Sequence, residues 1–464
     1  MTIFPHKKTS HLETAATPQL PPIAAGSAVA HYLHFRRDPF GFWLALGRTA
    51  AVTRLQLPLG WAFWVVSDEA WVDRILAQQS YTYLRSRYLT DTKRRGTPPN
   101  LTQTRDWKQW LWKRRLMQPP FHKERLAAFG ETIVQETNTL IADWGERGHL
   151  ADVGDEFRTL TIRLITKLLY AGSEGDAHIF RQTLDAYMDF GFRRATSLIH
   201  WPLWLPLPAH RRVARLRQQA EEAAWRLVLA RMEGEETAEP HDLLDMLLAI
   251  FDPEAKEGEE AFTLEQIIHH LGDLTVAGYE TTALGLTWLF YFVSTHPEVE
   301  ARLRDEVETV LQGRPPTAAD VSRLPYLNMV ILETLRLRPP VFVMLREADK
   351  ADDFGGYHVP AGTQIFLNVA ALHRDPRYWA TPEAFNPDHF TAEAKAQRPH
   401  GAFTPFSIGP RKCLGDGLAL LEMNLIVPLI LQRYQLSYSG TQPLRVKPGV
   451  RLQAEPLPMR IERK

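Results

Sequence analysis

The richest chemical setting in this chain surrounds its only cysteine, Cys413. It stands in the run FSIGPRKCLGDGLALLE, where Phe406, Gly409, Arg411 and Gly415 keep fixed spacings to it and an amphipathic helical pattern follows directly. A thiolate at a helix N-terminus is stabilised by free backbone N–H groups and by the helix dipole, which lower its pKa. One cysteine cannot make an intramolecular disulfide or a multi-cysteine zinc or iron–sulfur site. A second constellation is Ala277-Gly278-Tyr279-Glu280-Thr281-Thr282, inside an apolar helical segment. A glycine there costs about 1 kcal/mol against alanine, and a glutamate there needs a partner or water. Read alone, it is a solvent-facing Glu–Thr pair. Glu333 and Arg336 lie three apart on one helical face and can share partners; alone they are a surface ion pair of little value.

Taken together, these motifs resemble the cytochrome P-450 family, whose haem-binding signature is Phe-x-x-Gly-x-Arg-x-Cys-x-Gly. The resemblance runs from about residue 35 to the end, with the motifs in the family's order. It implies that Cys413 is the axial ligand of a haem b iron, pushing electron density onto the metal and favouring O–O cleavage. Gly409 and Gly415 would let backbone approach the macrocycle and turn without a Cβ clash. Phe406 would pack near the sulfur, and Arg411 would face a propionate. Ala277 and Gly278 would leave room for dioxygen, Thr281 would hydrogen-bond it as it is reduced, and Glu280 would relay protons from solvent. Thr282 reads as a packing residue. Glu333 and Arg336 match the family's Glu-x-x-Arg, a buried network supporting the cysteine loop. Its usual third member is Arg in Pro-x-Arg-Phe; this chain has Pro387-Asp388-His389-Phe390, so His389 replaces it.

Trp110 and Arg114, four apart on one helix face, and Arg346 match positions that bind haem carboxylates, with Arg115 a competitor within its turn. Arginine presents a fork suited to carboxylates. Between residues 85 and 125 there are 12 Lys or Arg against 3 Asp or Glu, a surplus of 12 − 3 = +9. Part of that surplus is a solvated face; by resemblance, Lys108, Lys113, Arg115, Lys123 and Lys412 would steer an acidic ferredoxin or flavodoxin served by its own reductase. Only 464 − 413 = 51 residues follow Cys413, too few for a flavin domain, so electrons from NAD(P)H are expected through a separate partner. The family places the substrate pocket among residues 81–104, 187–207, 273–281, 341–345 and 449–453. Val341, Phe342, Val343 and Met344 make one wall apolar, suited to a terpenoid, fatty acid or polyketide-like compound. Tyr83, Arg85 and Arg87 are weaker candidates for holding a substrate carboxylate. The expected activity is hydroxylation or epoxidation of an apolar small molecule. The alternatives are a haem-thiolate peroxygenase or isomerase, against which Glu280 and Thr281 argue, and a non-catalytic haem sensor.

These residues need a frame. Val52–Leu57, the Pro58–Gly60 turn and Trp61–Val66 read as a hairpin, with Ser67 capping the next helix. From about 105 to 335 the pattern is mostly helical. Thr263 and Gln266 have capping-box spacing, opening a helix that runs over 264–295 until Pro297 forbids continuation. It would extend roughly 48 Å. Another helix covers about 322–338, turns and short strands follow (among them 364–369), and a last long helix starts after Cys413. The expected fold is mainly α with a small β part (α+β): a Pro-rich leader over residues 1–30 packed along the surface, then a single haem domain over 31–464.

Composition fits that frame. Formal charge is 54 − 54 = 0, which argues against nucleic acid as the main partner. Residues 14–35 and 195–210 are uncharged but broken by prolines, so neither reads as a transmembrane helix. With two tryptophans and four leucines, 195–210 reads as a lid over an apolar cavity in preference to a membrane or partner contact. A cytoplasmic monomer is expected.

Overall fold

The computed structural model describes residues 19–90, 100–197, 201–233, 242–254, 261–449 and 451–464. Parts of the leader, of the 81–104 and 195–210 segments and of the 449–453 loop therefore lie outside the described residues. The elements that frame the site are labelled here in chain order. Helices are α1 (Ala28–Arg37), α2 (Trp107–Met117), α3 (Val153–Tyr170), α4 (Glu174–Ala195), α5 (Leu264–Thr295), α6 (Pro325–Leu337) and α7 (Asp416–Arg433). Strands are β1 (Val52–Gln56), β2 (Ala62–Val66), β3 (Tyr83–Arg85), β4 (Met344–Ala348) and β5 (Gln364–Leu367). They form one sheet in the order β1-β2-β5-β4-β3, antiparallel except where β2 runs parallel to β5.

The central helix α5 carries the expected capping box: Gln266 N–H donates to Thr263 Oγ1 (3.4 Å) and Thr263 N–H to Gln266 Oε1 (3.0 Å). Its closest neighbour is α3. A Cβ on Gly278 would come 2.7 Å from Ile165, and one on Gly154 would come 3.2 Å from Thr287, so the two helices run antiparallel and nearly touch. Around them the main core gathers Trp144, Phe157, Trp288 and Phe290, all essentially inaccessible. Burial of such aromatics supplies much of the stabilisation here, at about 25 cal/mol per Å² of apolar surface removed from water.

Several boundaries differ from expectation for identifiable reasons. Asp68, not Ser67, caps the helix after the hairpin, accepting from the N–H groups of Ala70 and Trp71. The 322–338 helix begins at Pro325, behind a 3-10 turn over Ala318–Arg323, because proline is most at home in a first helical turn. Val369 leaves the strand to open a short helix capped by Asn368. The leader is folded from Gln19 onward: Arg54 N–H donates to Pro22 C=O at 2.8 Å, and Ala24 is buried. The 30/31 boundary thus falls inside α1.

Candidate active site

Beneath the cysteine loop lies a saturated polar network. Arg336 and Glu333 are both wholly buried and doubly hydrogen-bonded at 2.7 Å. The remaining N–H groups of Arg336 donate to the carbonyls of His373 (2.9 Å), Pro382 (2.6 Å) and Ala384 (2.7 Å). All five guanidinium N–H groups are therefore used. His389 Nδ1 lies 3.2 Å from Glu333 Oε1 and its Nε2 3.1 Å from Thr381 Oγ1. Arg398, which sequence reasoning missed, enters from another direction. It donates to the His389 carbonyl and lies 3.7 Å above the Trp379 ring, and burial pushes its pKa down to about 10 with Arg336 adding repulsion. A cation thus still reaches this network although Pro-x-Arg-Phe has lost its arginine. His373 carries the connection onward. Thr404 N–H donates to its Nε2 at 2.9 Å, and burial holds the ring neutral, down to about 3. Nε2 is then the acceptor and Nδ1 the donor, toward the Arg336 carbonyl at 3.2 Å.

Thr404 leads into the loop itself. Cys413 N–H donates to Phe406 C=O at 2.9 Å, closing it. Gly409 has φ +72°, and a Cβ there would sit 2.2 Å from the Leu76 carbonyl oxygen. Its freedom serves the close pass of residues 76–77, a contact spacing alone did not reveal. Arg114 Nη1 donates to Lys412 C=O at 3.0 Å, while Arg115 is exposed; Arg114 is the member of that turn facing the loop. The Cys413 side chain is exposed, yet desolvation by the protein around the sulfur pushes its thiol up, against the Gly415 N–H and the charges of Arg114 and Lys412, which pull it down. A thiol that coordinates a metal cation is deprotonated outright.

Beside the loop, three arginines meet, and among the described residues none of them forms an ion pair within 4.0 Å. Arg85 on β3 faces Arg346 on β4 in register, and Arg411 stacks 4.4 Å above Trp110. Burial lowers all three. Mutual repulsion lowers Arg346 and Arg411 further, Arg411 to about 9. Arg411 Nε is buried without a partner. Such a cluster fits an anionic group, and the two propionates of a haem would supply that charge. Arg346, Arg411 and Trp110 are the residues that the resemblance names for this role, whereas Arg85 reads from sequence as a weaker candidate for a substrate carboxylate. Its neighbours are committed elsewhere: Tyr83 donates to Asp352 at 2.6 Å and Arg87 pairs with Glu347, so neither is free to hold a substrate.

The opposite wall is α5. It packs on α7, where a Cβ on Gly285 would come 3.3 Å from Met423. Ala277 is exposed within a helix whose flanking residues Thr275 and Tyr279 are buried, so this turn opens onto an internal cleft. Gly278 does not: its vacant Cβ direction meets Ile165 on α3. Thr281 donates to Ala277 C=O at 2.7 Å. Glu280 forms an ion pair with Arg451, and a small crevice lined by Asp189, Lys447 and Gly449 reaches it from the surface. Thr282, expected merely to pack, hydrogen-bonds Glu422 of α7, whose carboxyl burial pushes up to about 8. A larger hollow of about 490 Å³ at Arg304, Glu308 and Lys464 holds none of these residues.

The four-residue wall divides. Phe342 is buried against Phe40 (5.8 Å between ring centroids), Val343 packs on the same cluster, Met344 packs on another, and Val341 is 40% exposed. Only Met344 belongs to β4, and the three residues before it form the loop leading into that strand, so the four side chains do not share one wall. Lys113 is buried with its Nζ 3.2 Å from Thr104 Oγ1, so it cannot meet a partner; Lys108, Arg115, Lys123 and Lys412 are exposed. Trp201 and Trp204 face outward, 54% and 81% exposed, which does not fit a lid folded over a cavity.

Comparison with known proteins agrees with this architecture. Residues 59–462 match the family model described as Cytochrome P450. The chain belongs to the cytochrome P450 family. Over 76% of each chain it is 35% identical to cyclooctat-9-en-7-ol 5-monooxygenase of Streptomyces melanosporofaciens. It is 31% identical to cyclooctatin synthase of the same organism over 77% of each, and 29% identical to pentalenene oxygenase of Streptomyces avermitilis over 72% of this chain and 73% of that one. The crystal structure of the cytochrome P450DA heme domain superposes with a TM-score of 0.82 at 25% identity, covering 96% of this chain and 97% of the other. As a cytochrome P450 the protein is a haem-thiolate monooxygenase that uses dioxygen and electrons from a redox partner. Among the described residues no helix is long and apolar enough to cross a membrane.

Proposed function

We propose that this cytochrome P450 hydroxylates or epoxidises a terpenoid, working as a cytoplasmic monomer with electrons from a separate ferredoxin or flavodoxin. The substrate class is supported by three relatives named for cyclooctatin and pentalenene chemistry. The observation that carries the reading is the pairing of the Cys413 loop and its unpaired arginines with the open Ala277–Thr281 turn of α5. Haem, when bound, supplies the activation of dioxygen. Cys413 Sγ would ligate its iron, and Phe406 would pack beside it. Arg346 and Arg411 would hold the propionates, with Trp110 beneath Arg411, while Arg114 braces the loop through Lys412. Gly415, where an added Cβ would meet only Phe121 at 4.0 Å, keeps the turn before α7 open. Thr281 holds a proton at Oγ1 within the cleft, and Glu280 receives protons through the crevice that Arg451 flanks. Lys108, Arg115, Lys123 and Lys412 form the docking face for the acidic electron donor.

The test uses haem-loaded protein, a ferredoxin, its reductase and NADPH under ¹⁸O₂. The expected product carries one ¹⁸O atom, and the reduced, CO-bound spectrum is that of a thiolate ligand. Product oxygen drawn from ¹⁸O-labelled water, or a spectrum typical of histidine ligation, overturns the reading.

A further inference from the structure

One acidic side chain on the cleft face of α5 has no part in the chemistry above. Asp273 lies four residues before Ala277 and eight before Thr281, hence on the same helical stripe. Along that stripe Asp273 and Thr281 are half-buried and Ala277 is exposed, whereas Leu271, Thr275, Tyr279 and Thr282 are buried. The carboxyl therefore borders the cleft. Among the described residues it is held from the facing loop by Thr102, whose Oγ1 donates to Oδ1 at 2.7 Å and whose N–H donates to Oδ2 at 3.2 Å. Each oxygen has accepted one hydrogen bond and keeps capacity for another. The facing cation is Arg85, and no ion pair within 4.0 Å joins the two among the described residues.

A half-buried carboxyl with spare acceptors offers them to whatever occupies the cleft, and an apolar occupant that shuts out water without using them is penalised. What uses them is constrained by charge. A substrate carboxylate attracted to Arg85 is repelled by Asp273, and a pure hydrocarbon leaves the acceptors unmet. A hydroxyl donates to the carboxyl and has lone pairs left for Arg85. We propose that Asp273 anchors a hydroxyl group already present on an otherwise apolar terpenoid substrate, so that the enzyme selects alcohols over the parent hydrocarbons and over the corresponding acids. This rests on the terpenoid monooxygenase reading and sharpens it. It also places the reaction in sequence. A hydroxyl-installing step, either water capture during terpene cyclisation or a prior oxygenation, must supply the substrate. Sites built to hydrogen-bond a hydroxyl reject analogues lacking it far more strongly than apolar pockets discriminate by size.

The test measures spin-state shifts of the haem-loaded protein with three matched sets. They are limonene, perillyl alcohol and perillic acid; cedrene and cedrol; and abietadiene, abietadienol and abietic acid. For any skeleton that binds, the alcohol is expected at least about 10-fold tighter than hydrocarbon or acid. Asp273→Leu should remove that preference while leaving the hydrocarbon bound as well as in wild type or better. Asp273→Asn, which keeps size and a Thr102 bond, should raise affinity for the acid relative to the alcohol about 10-fold by deleting the repulsion facing Arg85. Equal affinity of the wild type for alcohol and hydrocarbon overturns the proposal. So does an equal loss of both in Asp273→Leu and in Thr102→Val, which would make the contact only a loop tether. If Asp273→Leu fails to take up haem, Asp273→Asn decides through the acid-to-alcohol ratio. Absence of a shift with every set, alongside a normal thiolate spectrum, instead overturns the terpenoid reading beneath it.

Discussion

Two sides of one cleft handle polar groups in opposite ways. In the Arg336 network beneath the Cys413 loop the groups consume one another: Arg336 spends five N–H groups on one carboxylate and three carbonyls, and His373 uses both ring nitrogens. Along α5, Asp273, Thr281 and Glu280, with Glu422 of the adjoining α7, each have few partners, and two of those carboxyls are pushed upward by burial. A saturated network has one arrangement and is rigid. A sparsely satisfied one retains donors and acceptors for ligands, protons and water. The first side suits holding a cofactor still, and the second suits a changing occupant.

The sharpest break in this contrast is Cys413→Ala, which should abolish the thiolate signature in the reduced, CO-bound spectrum; its persistence would falsify the ligand assignment. Next, Arg336→Leu leaves Glu333 buried without its partner and should cost about 3–5 kcal/mol, read by denaturant unfolding; a loss under 1 kcal/mol would mean that the network is not what fixes the loop. On the α5 side substitution should stabilise. Glu422 has a folded pKa of about 8, above its ordinary value of 4.5. The folded state therefore binds the extra proton between those values, and stability falls as pH rises through that window. Glu422→Gln should remove this slope and gain up to about 3 kcal/mol at pH 7; parallel stability–pH curves for the two proteins would refute it.

Smaller effects concern turnover. Thr281→Ala should leave haem uptake intact yet lower the product formed per NADPH about 10-fold, with hydrogen peroxide rising to match. Unchanged coupling removes Thr281 from proton handling. Charge reversal of Arg115, exposed beside the loop, should slow reduction by the donor about 3-fold at low salt and less at high salt. A loss that ignores ionic strength would point to folding instead.

How legible each side was follows from the same contrast. Cys413, Glu333, Arg336 and the capping box at Thr263 are local patterns whose spacing states the geometry, and α5 begins and ends where its cap and Pro297 direct. Arg398 reaching the His389 carbonyl, Thr102 holding Asp273 and Arg451 pairing with Glu280 join residues 9, 171 and 171 positions apart. The latter two long-range meetings leave no periodic trace in sequence. Charge counting failed likewise for Lys113, because a basic run does not tell which members turn inward. Phe342 was misplaced by treating an apolar run as one surface, when it lies in the loop before β4 and packs against Phe40.

The crevice at Glu280 is walled in part by Lys447, Pro448, Gly449, Arg451 and Gln453, and beside them Trp288 Nε1 donates to Leu452 C=O at 2.7 Å. Arg451 comes 451 − 413 = 38 residues after the haem-ligating cysteine. On a ribosome adding about 5–20 residues per second, the cysteine loop is therefore synthesised about 2–8 seconds before the arginine that pairs with Glu280.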